Sequence, residues 1–139
     1  MSDHQPEKQD SSTQIKHTYV VEHLDLELGP WSSLEYISIS QESSLTGNSF
    51  LLTSVPQALQ LEIQADERFH DIGVRGESIE EFLANEKEKI CLLDPAATEE
   101  LSPKDGDSFT TFLFGGILGM VDQIASNSPW MYAEFSSRR

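Results

Sequence analysis

Four residues close together in the chain have side chains that bind metals or move protons: His17, Glu22, His23 and Asp25. Glu22 and His23 close a β-type run, where successive side chains point to opposite faces, so the four meet at one ion only if the backbone bends. No Cys or His pair elsewhere completes such a set, and no metal site is expected. Cys91, the single cysteine, lies inside the apolar run K-I-C-L-L-D. An inert buried thiol is the expectation there, and one cysteine cannot form an internal disulfide. Neither a Gly-x-Ser-x-Gly elbow nor a phosphate loop with Lys after its glycines occurs. Gly115, Gly116, Ile117, Leu118 and Gly119 remain. Glycines at a strand's end let backbone amides and carbonyls approach a ligand closely, and a plain tight turn would use the same residues.

The elements that must position these residues are legible in outline. Tyr19, Val20 and Val21 mark a strand over 17–24. Gly29–Pro30 breaks it, and Pro30 suits the first turn of a helix carrying Trp31, Leu34 and Ile37 at helical spacing. N-S-F-L-L-T-S-V at 48–55 predicts a second strand ended by Pro56; over 57–69 helical and alternating patterns compete. Ser78 with Glu81 has capping-box spacing, and Ile79, Phe82 and Leu83 predict a helix over 79–88. The runs 89–94 and 109–114 predict two more strands, the first buried on both faces. Strands alternating with helices predict an α/β fold with a Rossmann-like parallel sheet and right-handed crossovers.

Composition limits the rest. Of 139 residues 37% are hydrophobic, enough for one modest core and one domain. Residues 1–16 are polar and expected to be a disordered tail. That stretch has no apolar segment of a secretory signal, and the longest apolar run, 112–121, contains three glycines and is far short of the roughly 20 residues that span a bilayer. A cytoplasmic protein is expected, with no membrane partner. The net charge is −15, and residues 17–119 carry 19 acids against five bases, with no Lys or Arg between Lys16 and Arg68. Nucleic-acid affinity comes from Lys and Arg neutralising phosphates, so direct binding of nucleic acid is disfavoured and a basic protein is the better electrostatic match. Acidity serving solubility alone explains the same charge.

Several stretches acquire meaning together. C-L-L-D-P-A-A-T at 91–98, L-S-P-K-D at 101–105 and F-L-F-G-G-I-L-G at 112–119 closely resemble a eukaryotic family of SPOUT-class methyltransferases. V-V-E-H-L at 20–24 and W-x-x-L-E-Y at 31–36 match the same family's N-terminal part, so the resemblance spans residues 19–119. It implies an S-adenosylmethionine (SAM)-dependent enzyme built on a Rossmann-like sheet and a trefoil knot. It also implies that Gly115, Gly116, Ile117, Leu118 and Gly119 form the cofactor-side loop, supported by Leu93, Asp94 and Pro95. A fungal member methylates an arginine of a small-subunit ribosomal protein, which makes a basic ribosomal protein the implied partner; methylation of RNA is the rival. A guanidinium is best held by paired carboxylates, and Glu22 and Glu35 match that role. The alternative makes Glu22 a strand-end charge and Glu35 a solvated helix residue.

After Gly119 the resemblance stops. The family continues with an aspartate and a Pro-Pro-Arg-Asp-Arg-type segment, where this chain reads M-V-D-Q-I-A-S-N-S-P-W-M-Y-A-E-F-S-S-R-R. Residues 17–119 are therefore expected to be the N-terminal part of the methyltransferase domain, with the knot missing and 120–139 a tail outside the family. Residues 120–125 suit a short helix. The sheet edge is expected to stay open and SAM to bind weakly or not at all. A non-catalytic fragment or acidic protein-binding module is the alternative function.

Overall fold

The computed structural model describes residues 15–114 and 135–139. The expected tail before residue 15, the glycine loop 115–119 and the expected helix at 120–125 lie outside the described residues. Among the described residues six strands form one sheet: β1 (Thr18–Glu22), β2 (Ser49–Thr53), β3 (Ile72–Val74), β4 (Ile90–Leu93), β5 (Thr111–Phe114) and β6 (Ser136–Arg138). Their order is β3-β2-β1-β5-β4-β6, and every pairing is parallel. The α/β parallel sheet expected from the sequence is therefore present. Among the described residues, no helix is long and apolar enough to cross a membrane.

The strand period of two divides the core. Val21, Phe50, Leu52 and Ile72 face α1 (Pro30–Leu45) and α2 (Gln57–Ala65) on one side of the sheet. Val20, Ile90 and Leu113 face α3 (Ile79–Phe82) on the other. The stretch 57–69, ambiguous in sequence, resolves into α2 and a 3-10 turn (Glu67–Phe69), with Leu59, Ile63 and Phe69 turned into the core. The helix expected over 79–88 is shorter. Its capping box forms as read, but Leu83 leaves helical geometry (φ −119°, ψ 41°) and 3-10 turns (Ala84–Lys89) lead into β4. Neighbouring Phe82 and Leu83 both pack on the same core cluster, which two adjacent positions about 100° apart on a regular helix do poorly. A further short helix, α4 (Asp105–Ser108), precedes β5 and was not anticipated.

α1 turns an unexpected side inward. Its buried residues are Ser33, Tyr36, Ser40 and Ser43, whereas Trp31 and Leu34 are exposed. Small serines let the helix lie close to the sheet, and two of their hydroxyls are satisfied within the helix. Ser33 Oγ donates to the Gly29 carbonyl (2.9 Å) and Ser43 Oγ to that of Ile39 (2.7 Å).

The C-terminal residues add one strand beyond β4, so the sheet edge lies at β6 instead of β4. β6 pairs with β4, and Phe135 joins the core beside Val20, Ile79, Ile90 and Leu113. The Arg138 carbonyl accepts from the Asp94 amide (2.8 Å), and its guanidinium reaches Glu99 (3.0 Å) and Asp105 (3.3 Å) over the Phe109 ring. Arg139 Nη1 donates to the carbonyls of Ala97 (2.9 Å) and Thr98 (3.1 Å). S-S-R carries no strand propensity; the pairing comes from these long-range partners.

Candidate active site

In open parallel sheets, ligands bind beyond the carboxyl ends of the strands where the chain's direction across the sheet reverses. Here the chain leaves β1 toward β2 and β3 on one side, while β4, β5 and β6 lie on the other. The reversal falls between β1 and β5. Glu22 and His23 close β1, and Phe114 closes β5, the chain then entering Gly115.

Glu22 is 2% exposed. Its carboxylate accepts from Thr53 Oγ1 and Ser54 Oγ (2.9 Å each) and from the backbone amide of Ile79 at the start of α3. Ser54, at φ 59°, is in the left-handed region, where its hydroxyl meets Glu22 while its amide donates to the Glu77 carbonyl (2.8 Å). Glu22 therefore ties β1, β2 and α3 together. A guanidinium paired with Glu22 and Glu35 would have to compete with the three donors that already hold the Glu22 carboxylate. Glu35 lies half-buried on α1, apart from that bracket.

His23 points the other way, under α1. Its Nε2 meets the Glu27 carbonyl oxygen (2.9 Å) and its Nδ1 the Tyr36 hydroxyl (3.0 Å). A carbonyl only accepts, so the ring proton sits on Nε2 and Tyr36 donates to Nδ1. With both nitrogens occupied, His23 makes no metal set with Glu22 and Asp25. His17 is spent elsewhere, Nε2 to the Gly106 carbonyl (2.8 Å). Burial, then the fields of Asp25 and Glu35, pushes the Tyr36 phenol up to about 12. Tyr36 thus records two carboxylates close to the end of β1. Sequence reading missed its role, although its place five residues after Trp31 in W-x-x-L-E-Y was visible.

Two clefts adjoin this rim. One, of about 450 Å³, is lined by Asp25, Leu26, Glu27, Gly29 and Ser32. The other, of about 460 Å³, lies on the α1 side of the sheet between Tyr19, Phe112, Phe114 and Leu93. Asp94 ends β4 as a turn residue, its Oδ1 accepting from the Ala96 amide (2.9 Å). Cys91 is buried, and burial pushes its thiol up to about 11. It is no nucleophile in the folded chain.

An all-parallel sheet with this strand-end rim is the architecture of SPOUT methyltransferases. Dual-specific Trm10 from Thermococcus kodakaraensis superposes with a TM-score of 0.56, covering 89% of this chain and 75% of that one at 24% identity, and shares the fold. The yeast arginine methyltransferase SFM1 complexed with SAM superposes with a TM-score of 0.68 at 25% identity, over 98% of this chain and 65% of that one. Protein arginine N-methyltransferase SFM1 of Saccharomyces cerevisiae is 32% identical over 110 residues, 73% of this chain and 50% of the relative. The family model for SFM1-like protein arginine N-methyltransferases matches residues 18–139. The chain belongs to that SFM1-like family. It spans about half the length of its curated relative.

Proposed function

We propose that this chain acts as a SAM-dependent protein arginine methyltransferase on a basic protein, with a small-subunit ribosomal protein as the acceptor and the cytoplasm as the compartment. Family membership over 18–139 supports the reaction class. The single observation that carries the substrate is the strand-end rim, where Asp25, Glu27 and Glu35 gather without a Lys or Arg from residue 17 to 67. Both reactants are cations, a guanidinium and a sulfonium, and a rim of acceptor-only carboxylates suits them. The free thiol of Cys91 accords with a reducing compartment.

When bound, SAM supplies an electrophilic methyl carbon on a cationic sulfur. The chain's own part is to orient and desolvate the acceptor. Glu35 accepts guanidinium N–H donors and sets the plane of that group. Glu22 fixes the strand ends from beneath, and Tyr36 with His23 holds the loop after β1 through the Glu27 carbonyl. Three of the five bases in the 17–119 body are committed to ion pairs, Arg68 with Asp66, Arg75 with Glu77 and Lys87 with Glu80, which leaves little for a phosphate backbone.

The test offers labelled SAM with either small-subunit ribosomal proteins or RNA, and locates the methyl group by mass spectrometry. Methylarginine in a ribosomal protein is the expected product; label in RNA overturns the substrate assignment. Calorimetry with SAM addresses the expectation of weak affinity, which rests on the departure from the family's Asp and Pro-Pro-Arg segment after Gly119. Micromolar binding supports the enzyme, and no binding leaves the acidic protein-binding module.

A further inference from the structure

Helices beside a sheet normally bury their large apolar side chains, and α1 does so with Tyr36, Ile37 and Ile39 but not with the apolar residues of its first turns. Trp31 is 70% exposed and Leu34 59%, while the adjoining Leu26 is 81% exposed. Scattered apolar residues on a surface need no explanation, but these three lie within nine residues of one another. Trp31 and Leu34 stand one turn apart on the same helix face, and Leu26 shares a cleft with Gly29 and Ser32 at that helix's start. Burying serines and exposing a tryptophan gives up core stability that the exchanged arrangement would supply. The arrangement makes sense if the exposed face is covered by something else.

The surroundings specify its chemistry. Asp25 and Glu27 flank Leu26 in the cleft, and Glu35 follows Leu34 directly. Asp25 and Glu35 both act on the Tyr36 phenol, so the two acidic groups converge from the loop and from the helix. Carboxylates and an exposed indole in one short stretch of chain both attract guanidinium and ammonium groups, and the two leucines accept an aliphatic side chain. The position is specific too. β1 and β5 are neighbours in register Thr18↔Thr111, Tyr19↔Phe112 and Val20↔Leu113, so the chain leaving β1 toward this patch and the chain leaving β5 toward Gly115 depart from adjacent strands at the same end of the sheet.

We propose that Leu26, Trp31 and Leu34, framed by Asp25, Glu27 and Glu35, form a docking surface for a basic amphipathic segment of a protein, whose arginine or lysine side chains flank an aliphatic anchor. The proposal rests on the arginine methyltransferase reading only for calling that protein the substrate; the surface itself is argued from exposure and charge.

The experiment follows a fluorescein-labelled peptide of alternating arginine and leucine by anisotropy with the full chain, beside a control of equal charge with serine in place of leucine. Wild type is expected to bind the Arg-Leu peptide at least tenfold tighter than the Arg-Ser control. The double variant W31A/L34S, at exposed positions, is expected to lose about tenfold, with the loss persisting at high salt where screening removes plain charge attraction. Equal binding by wild type and W31A/L34S, or by the two peptides, overturns the proposal. So does a dimer in sedimentation velocity that W31A/L34S dissolves, because the patch then belongs to a second copy. Methyl transfer is read separately. Peptide binding without transfer refutes the enzyme and keeps the surface; transfer to a ribosomal protein with rate and KM unaltered in W31A/L34S refutes the surface and keeps the enzyme.

Discussion

A carboxylate buried as deeply as Glu22 needs donors to replace the water it lost. Thr53, Ser54 and the Ile79 amide do this, and together they join three elements at the rim. Glu22→Gln turns one acceptor oxygen into a donor against those groups, so a loss of about 2 kcal/mol is expected in urea unfolding. Methyl transfer should fall with the folded fraction rather than through KM for the acceptor. Tyr36 offers a pH signature. Its phenol stands at about 12 in the fold against the ordinary 10, so the folded state holds the proton more tightly. The associated stability is complete below pH 10 and is lost as pH rises toward about 12. Ultraviolet titration of wild type against Tyr36→Phe should show a tyrosine missing from the normal ionisation step and appearing near that higher value.

At the scale of elements, α1 is the informative one. Its inner serines occupy spaces sized for a hydroxymethyl group, so Ser40→Leu should overpack the helix–sheet contact and cost about 1–3 kcal/mol. Leu34→Ser, a larger loss of apolar surface on paper, should stay within about 0.5 kcal/mol because that side chain is already in water. Chemical denaturation of the two variants checks both, and the contrast between them is the sharper measurement. β6 makes a complementary point: three residues without strand propensity are held by Arg138 and Arg139 clasping the loop that follows β4.

For the molecule as a whole, β4 lies between β5 and β6, with Cys91 inside the sheet. Its thiol is buried and raised to about 11, so iodoacetamide should leave it unlabelled near neutral pH and alkylate it fully in concentrated urea. Labelling that instead proceeds quickly under native conditions would mean that β6 opens independently of the rest. The net charge of −15 acts at this scale as well, steering basic partners toward the acidic rim with an on-rate that falls as salt is added.

The β-branched and aromatic clusters in β1 and β2, the Pro30 helix start, the Ser78–Glu81 capping box and the buried run around Cys91 were all readable, because each is a local pattern of side-chain size and hydrogen-bonding type. So was the family, since several motifs recur in one order. Local patterns do not record which side of a helix meets the sheet, and on α1 Trp31 and Leu34 stay in water while Ser33, Tyr36, Ser40 and Ser43 are buried. Nor do they record partners far away in sequence. Glu22 looked free for a substrate until Thr53, Ser54 and Ile79, at 31, 32 and 57 residues' separation, were brought to it. The chain by itself determined four of the six described strands, its acidity and its kinship; folding decided β3 and β6, which carboxylate is spent inside and which apolar side chains face water, because these depend on contacts that exist only once the sheet has formed.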